Sequence, residues 1–314
     1  MGSLLADGLF CDILAKNIRE DAVMKMWKKL IALSLALLLL SGCGAREPKP
    51  TEGSMASTKP SAPISNTQPA TKPTMTYPTA PMEPTIPQPE ANPYDAEDFV
   101  FENGFLTCTA TETMVGIDVS VHQGVIDWQQ VAAAGVDFVM IRAAYRGYKY
   151  GQVNADSNAL ANIQGAKEAG LLVGVYIYSQ AINVKEAVEE AEFLLQMLEG
   201  IPLDLPITFD WERYGDEART ANVSGRTVTE CAVAFCEAIR AAEREAMVYF
   251  NAAQAFEQIS LSALMEYPFW LALYDTQAVF PYRVHMWQYS NTGKVPGIGG
   301  NVDLNIGFFT KDSV

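Results

Sequence analysis

From about Met114 to the end of the chain, apolar runs of strand length alternate with amphipathic stretches of helical period. The predicted strands are 115–120, 138–144, 172–178, 206–211, 247–250, 269–274, 285–289 and 302–307. The predicted helices are 127–134, 156–169, 183–199, 227–244 and 252–259. Asp127, Asn183 and Thr227 each precede a Gln or Glu by three positions, which is typical of a helix start. Glycine lies where three helices should end, at Gly135, Gly170 and Gly200.

The order of these elements predicts an α/β barrel. Strand and helix alternate through five units, which implies parallel strands joined by right-handed crossovers. The later strands follow one another with little helix between them, so the barrel should begin as a (β/α) barrel and finish with plain strands. A doubly wound open sheet is the alternative. Neither a GxGxxG pattern nor a phosphate loop accompanies the first strand, which disfavours a dinucleotide site.

The segment from Met24 to Cys43 has the pattern of a bacterial export signal. Three lysines at its start precede an apolar stretch, Leu30 to Leu40, which is shorter than the roughly 20 residues that span a bilayer. Its end, Leu40-Ser41-Gly42-Cys43, resembles the lipobox of bacterial lipoproteins, which implies lipidation of Cys43 and membrane attachment. An ordinary secretory signal with an incidental cysteine is the alternative. Residues 1–23 fit no part of a signal and are predicted to be a non-native upstream extension.

A change in composition separates this signal from the barrel. Twelve of the seventeen prolines lie between Pro48 and Pro93, interleaved with Thr, Ser and Ala. Such a segment buries too little apolar surface to offset the entropy lost on ordering. We therefore predict a disordered tether over residues 44–110 and a folded domain over residues 111–314.

Charge and cysteine content exclude several classes of protein. The formal charge is −15 and no Lys/Arg cluster occurs, which argues against a nucleic-acid partner and is compatible with a neutral polymer as substrate. Cys231 and Cys236 fall on one predicted helix, with Cα atoms roughly 8 Å apart, too far to form a disulfide. No metal-ligand spacing of Cys or His occurs, so no metal or cofactor is predicted. A monomer is the default expectation.

Acidic residues stand at the ends of three apolar strands, where parallel barrels carry their catalytic groups. These residues are Asp118, Asp210 with Glu212, and Asp303. Asp210 and Glu212 are two positions apart and should share one face of a strand, so their repulsion should raise one pKa. A carboxyl group that stays protonated near neutral pH can act as a general acid, and glycosidic cleavage needs two carboxyl groups. The alternative is structural: acids paired with Arg142 or with backbone amides, and strand-end caps.

Aromatic residues cluster near the same strand ends. They are Tyr145, Tyr176, Tyr178, Tyr249, Trp270, Tyr274, Trp287 and Tyr289. Aromatic rings bind the apolar C–H faces of sugars, although core packing is favoured for any single one of them. No Gly-x-Ser-x-Gly elbow occurs, which weakens an esterase or peptidase interpretation.

Several short motifs together resemble glycoside hydrolase family 25, the Chalaropsis-type lysozymes. They occur in the family's order over roughly residues 114–310: Gly116-Ile117-Asp118-Val119-Ser120, Gln123-Gly124-Val125-Ile126-Asp127-Trp128, Phe138-Val139-Met140-Ile141-Arg142-Ala143, Gly174-Val175-Tyr176, Asp210-Trp211-Glu212, Met286-Trp287-Gln288-Tyr289 and Asn301-Val302-Asp303-Leu304-Asn305. One departure is Tyr176-Ile177-Tyr178, where many members have Tyr-His-Phe.

This resemblance implies an irregular TIM-like (β/α)5(β)3 barrel and N-acetylmuramidase activity on the glycan strands of peptidoglycan outside the cell membrane. It implies that Glu212 is the general acid, that Asp210 tunes Glu212 or orients the substrate's N-acetyl group, and that Asp118 and Asp303 line the pocket. The expected substrate contacts are Arg142, Tyr145, Tyr176, Tyr178, Tyr249, Trp270, Trp287 and Gln288. It requires no cofactor. A non-catalytic wall-binding module and a glycosidase for another N-acetylated glycan, such as chitin, are the alternatives.

Overall fold

The computed structural model describes residues 87–274, 276 and 280–313. The predicted upstream extension, the signal segment with Cys43 and residues 44–86 of the predicted tether lie outside the described residues. Within the described part of the chain, no helix has the length and apolar character needed to cross a membrane.

Eleven strands and six α-helices make up the described fold. The strands are β1 (Phe99–Glu102), β2 (Phe105–Cys108), β3 (Met114–Val119), β4 (Phe138–Arg146), β5 (Val153–Ala155), β6 (Leu172–Ser179), β7 (Ile207–Trp211), β8 (Ala246–Asn251), β9 (Phe269–Ala272), β10 (Met286–Gly293) and β11 (Val302–Gly307). The helices are α1 (Trp128–Ala133), α2 (Ala159–Glu168), α3 (Val184–Met197), α4 (Gly225–Ala241), α5 (Ala252–Glu257) and α6 (Leu261–Leu264).

Eight of the strands close into a barrel in the order β3-β4-β6-β7-β8-β9-β10-β11, with β11 returning to pair with β3. The seven strands from β3 to β10 are parallel to their neighbours, whereas β11 is antiparallel to both β10 and β3. α-Helices follow the first five barrel strands, and among the described residues no α-helix follows the last three. The predicted barrel with plain strands at its end is therefore confirmed, and the open sheet is wrong.

Local capping fixes most of the predicted helix starts. Asp127 and Asn183 each accept a hydrogen bond from the backbone N–H three residues on, at 3.1 Å in both cases. The prediction of Thr227 as a cap is wrong, because Ser224 accepts the hydrogen bond of the Thr227 N–H and α4 begins one turn earlier. The three predicted stop glycines all have positive φ angles, which end the helices.

Side chains fill the barrel itself, so its inside is a packed core. A Cβ atom at Gly116 would lie 2.1 Å from the Phe138 ring, which shows why glycine is needed on that strand. A larger apolar layer lies between the strands and the surrounding helices. Cys231 and Cys236 belong to that layer as fully buried free thiols, as predicted.

The outer face of the last strands is covered by the segment that precedes the barrel. The antiparallel hairpin β1–β2 packs there, with Phe99 edge-on to Trp287 at a ring-centroid distance of 5.1 Å. The N–H of Leu106 donates to the Tyr289 hydroxyl at 3.1 Å, and only 1% of Leu106 is exposed. Tyr94 stacks on Phe308, just after β11. This segment takes the place of the helices that β9, β10 and β11 lack.

The predicted tether over residues 44–110 therefore extends too far, because residues 99–108 are part of the folded domain. Asn103 and Gly104 connect the two strands, with φ angles of 52° and 88°. An Asn-Gly pair between apolar runs is a strong signal for a two-residue hairpin turn, and positive φ at both positions fits it. That signal was present in the sequence beside the proline-rich segment.

A Leu106→Ala variant should lower the free energy of unfolding by about 2–5 kcal/mol, because it leaves a cavity between hairpin and barrel. A matched control is Leu160→Ala on α2, where the leucine is 50% exposed and the change should stay within about 0.5 kcal/mol. Urea unfolding of both variants measures the difference. Equal stability of Leu106→Ala and wild type would mean that the hairpin is a tether after all.

Candidate active site

A cleft opens at the end of the barrel where the parallel strands finish. Its walls combine four carboxyl groups with aromatic side chains and one amide. The lining residues are Asp118, Tyr176, Tyr178, Asp210, Glu212, Tyr249, Trp270, Tyr274, Gln288 and Asp303. All four acids expected from the sequence are thus brought together.

Asp210, on β7, and Glu212, the first residue after β7, both face the cleft, whereas Trp211 between them points away from it. The indole Nε1 of Trp211 donates to the Ala181 carbonyl at 2.8 Å, on the opposite face of the strand. The alternation of a strand therefore positions both acids on one side, as predicted.

Two buried glutamines fix the backbone that carries Glu212. Gln254 Nε2 donates to the Trp211 carbonyl at 2.8 Å, and Gln180 Nε2 donates to the Glu212 carbonyl at 2.5 Å. Both glutamines are buried, so these amide hydrogen bonds are shielded from competing water.

Asp118 and Asp303 meet because β11 runs against β3. The antiparallel register pairs their Cα atoms directly, near the C-terminal end of β3 and the N-terminal end of β11. Their side chains point to the same face of the sheet, and both line the cleft. A parallel eighth strand would have placed its N-terminal residues at the opposite end of the barrel.

A layer of amide groups supports Asp118. Gln288 Nε2 and Asn305 Nδ2 both donate to Asp118 Oδ2, at 2.7 and 2.8 Å. Trp270 Nε1 donates to Asn305 Oδ1 at 2.8 Å. The Gln288 Oε1 atom accepts hydrogen bonds from the Tyr274 hydroxyl at 2.7 Å and the Tyr249 hydroxyl at 3.1 Å. These second partners fix which end of each amide faces the carboxylate.

Burial raises the pKa of every acid in the cleft. Desolvation is the largest cause for Asp118 and Asp210, whose pKa values lie well above the usual range, and neighbouring carboxylates add to it. The pKa of Asp303 is raised by desolvation, and that of Glu212 by desolvation and then by the charge of Asp303. Within the described residues, one oxygen of Asp210, Oδ1, is buried without a hydrogen-bond partner.

Arg142 lies outside the group of cleft-lining residues, although its charge opposes the rise in the Asp210 pKa. Its guanidinium binds Asp156 through Nε at 2.9 Å and Nη2 at 2.8 Å, and its charge lies 5.3 Å from the Tyr145 ring centroid. Asp156 also accepts the backbone N–H groups of Val121 and Asn158. The structural alternative in which Arg142 pairs with Asp210 or Glu212 is therefore wrong.

The structure places the other predicted substrate contacts unevenly. Five of them line the cleft: Tyr176, Tyr178, Tyr249, Trp270 and Gln288. Trp287 does not, because it points outward, donates to the Leu273 carbonyl at 2.7 Å and packs under the hairpin. Tyr145 is likewise absent from the lining. Asn305 carries the amide beside Asp118, although the sequence singled it out only as part of a motif.

In the described part of the chain, no group of three or more His, Cys, Asp or Glu side chains has a geometry suited to a metal ion. The cleft is therefore a site of carboxyl groups, amides and aromatic rings. Such a set can transfer protons, stabilise developing positive charge and stack on a sugar ring.

Comparison with known proteins agrees with this chemistry. The family model of glycosyl hydrolases family 25 matches residues 117–298, more than half of the chain. Lysozyme M1 of Streptomyces globisporus is 29% identical over 206 residues, which cover 62% of this chain and 68% of that relative.

Solved structures give the same result for the fold. The lysozyme from Streptomyces coelicolor superimposes with a TM-score of 0.51 at 27% identity, covering 62% of this chain and 92% of that one. The modular autolysin LytC from Streptococcus pneumoniae gives a TM-score of 0.56 at 23% identity, covering 66% of this chain. The match covers 51% of the autolysin, so the chain spans about half of that protein's length.

The matched range contains Asp118, Asp210 and Glu212 and runs from within β3 to the loop after β10, whereas the last barrel strand, β11, follows it. Asp303 follows the range by five positions and is joined to it through the register with Asp118. On the family match and the barrel together, the chain belongs to glycosyl hydrolases family 25 and is a glycoside hydrolase.

Proposed function

We propose that the protein is a peptidoglycan muramidase that cuts the β-1,4 bond between N-acetylmuramic acid and N-acetylglucosamine. The observation that carries this proposal is the cleft in which Asp210 and Glu212 face Asp118 and Asp303, lined by aromatic rings. Relatives that are named lysozyme and autolytic lysozyme support the choice of substrate.

Glu212 is the general acid in this proposal. Every influence on its pKa raises it, whereas Asp118 receives two amide donors that favour its ionised form. Glu212 is also half-buried at the cleft rather than enclosed, so it can reach a glycosidic oxygen. A carboxyl group held protonated near neutral pH can give its proton to the leaving oxygen as the bond breaks.

Asp210 positions the substrate's acetamido group. Its Oδ1 atom, without a partner among the described residues, can accept the acetamido N–H. The acetamido oxygen then attacks the anomeric carbon. The bond from that carbon to the leaving oxygen breaks, and the leaving oxygen takes up the Glu212 proton. Water next adds to the anomeric carbon while the bond from that carbon to the acetamido oxygen breaks, and the water gives a proton to the Glu212 carboxylate, which restores the acid. Asp118 and Asp303 stabilise the positive charge that develops on the sugar ring.

The site of action in this proposal is outside the cytoplasmic membrane. Peptidoglycan lies there, and the Met24–Cys43 segment has the pattern of a lipoprotein signal. Lipidated Cys43 would anchor the chain, and the proline-rich segment after it would let the barrel reach into the wall.

A Glu212→Gln variant should lose activity by about 10²–10⁴-fold, because glutamine has no proton to give to the leaving oxygen. The assay follows turbidity loss of purified peptidoglycan and the release of reducing N-acetylmuramic acid ends. The matched control is Glu217→Gln, an exposed residue of the same loop, which should act like wild type.

The same assay separates the alternatives. Full activity of Glu212→Gln would falsify its assignment as the acid. Binding of the wild-type protein to insoluble wall without product release would favour the non-catalytic module. Cleavage of chitin in preference to peptidoglycan would favour another N-acetylated glycan as substrate.

An Asp303→Asn variant should move the alkaline limb of the pH–activity profile to lower pH. The charge of Asp303 raises the Glu212 pKa, so its removal lowers that pKa and Glu212 loses its proton earlier as pH rises. Asp216→Asn, on the exposed loop, is the control and should leave the limb in place. If the alkaline limb stays in place in Asp303→Asn, the charge of Asp303 does not affect the Glu212 pKa.

An Asp210→Asn variant should unfold at a higher temperature than wild type at neutral pH. The folded pKa of Asp210 lies above its ordinary value of 3.8, so the folded state holds the proton more tightly and loses stability as pH rises past 3.8. Asparagine does not ionise and avoids this loss. Thermal unfolding from acid to neutral pH should show the two proteins converging below about pH 4; a gain independent of pH would contradict the explanation.

A further inference from the structure

Two exposed tyrosines stack on each other at the rim of the barrel, outside the set that lines the cleft. Tyr148 follows β4 and Tyr214 follows β7, and their ring centroids lie 4.3 Å apart with an interplanar angle of 17°. Tyr148 is 45% exposed and Tyr214 is 58% exposed. Large aromatic side chains that keep so much surface in water while held in a fixed geometry are typical of a recognition surface.

The pair is continuous with the catalytic cleft. Strands β4 and β7 flank β6 in the barrel, so the loops that follow them meet beyond the end of β6. Tyr178 of β6 lines the cleft and is in register with Asp210 of β7. Tyr214 lies only two positions after Glu212 and is close enough to Tyr178 to help raise its pKa. The stacked rings therefore extend the aromatic wall of the cleft toward the β4 side.

Polar groups, buried at Gln180 and Thr220 and half-buried at Arg219 and Glu186, hold the two loops together. The backbone N–H of Arg219, in the loop after β7, donates to the Tyr148 carbonyl at 3.0 Å. The Arg219 guanidinium binds both oxygens of Glu186, at 2.8 and 2.6 Å, and donates to the Gln180 carbonyl at 3.2 Å. Thr220 donates to Gln180 Oε1 at 3.0 Å. A surface fixed in this way binds a ligand with little further loss of conformational entropy.

Arg146, a buried residue of β4, fixes the turn that carries Tyr148. Arg146 donates to Glu190 at 2.5 Å and to the Gly151 carbonyl at 2.5 Å, which anchors the far end of the Tyr148 turn. Gly151 has a φ of 71°, and a Cβ atom there would lie 2.5 Å from the Arg219 guanidinium. The turn can therefore pack against the β7 loop only with glycine at that position.

We infer that Tyr148 and Tyr214 form an additional subsite that stacks on one pyranose ring of the glycan strand, beyond the sugars held at the acids. This inference rests on the proposed function and deepens it. Pyranose rings present apolar C–H faces to aromatic rings.

The test compares cleavage of two soluble glycan oligosaccharides of alternating N-acetylglucosamine and N-acetylmuramic acid, a short one and one twice as long. The readout is the ratio of kcat/KM for the long substrate to that for the short one. In the full chain, the Tyr148→Ala, Tyr214→Ala double variant should lower this ratio about tenfold. The corresponding Phe double variant keeps the rings and should retain the wild-type ratio.

Tyr150→Ala is the matched control, since Tyr150 is 81% exposed in the same turn and stacks on no tyrosine. It should leave the ratio unchanged. An unchanged ratio in the Ala double variant overturns the subsite. So does an equal fall on both substrates, which would mean that the loop had displaced Glu212 instead.

A second readout keeps the subsite testable if the wild-type protein cleaves neither substrate, an outcome that would defeat the proposed function alone. Calorimetric binding of the long oligosaccharide is then compared between wild type and the Ala double variant. Weaker binding by the variant supports the subsite, and equal binding overturns it. Thermal unfolding of each variant confirms that the fold is retained.

Discussion

Four carboxyl groups lie together at one end of a closed barrel. Because they repel one another in a partly buried site, the surrounding residues must stabilise them. Burial raises the pKa of each above its ordinary value, and a neighbouring carboxylate adds to this rise for Asp118, Asp210 and Glu212. The surrounding hydrogen bonds are unequal: Asp118 receives two amide donors, whereas Asp210 Oδ1 has no partner in the part of the chain that the structure describes. That inequality lets neighbouring acids with the same chemistry take different roles.

The barrel brings these acids together through one reversal of chain direction. Because β11 is antiparallel, its first residues reach the rim where the parallel strands end, and Asp303 meets Asp118. The same final strands lack helices, which would leave an apolar outer face in water. The hairpin β1–β2 and the residues before it cover that face through Phe99 and Leu106. The site and the segment that precedes the barrel therefore depend on the same departure from regular (β/α) alternation.

The sequence predicted those parts of this arrangement that follow from the two-residue alternation of a strand or from the order of strands and helices. The two-residue spacing of Asp210 and Glu212 placed both in the cleft, and element order predicted the closed barrel. The same period could have excluded Trp287 from the cleft: Gln288 faces inward, so its neighbour on the strand faces outward. The hairpin was missed because proline-rich composition outweighed the Asn-Gly turn. The partners of each amide were beyond prediction, since they join strands far apart in sequence through side-chain geometry alone.

Rigidity at the loop after β7 links the acid to the surface beside it. Glu212 and Tyr214 are two residues apart, and Gln180 holds the Glu212 carbonyl while Arg219 fixes the loop to the turn that carries Tyr148. A general acid must stay within hydrogen-bond reach of the bond it cleaves. The substrate's glycan strand, which contains that bond, must therefore be positioned equally well. One network of hydrogen bonds fixes both the acid and the stacked tyrosines. A sugar ring bound at the rim would therefore hold the glycosidic bond at a fixed distance from the Glu212 proton.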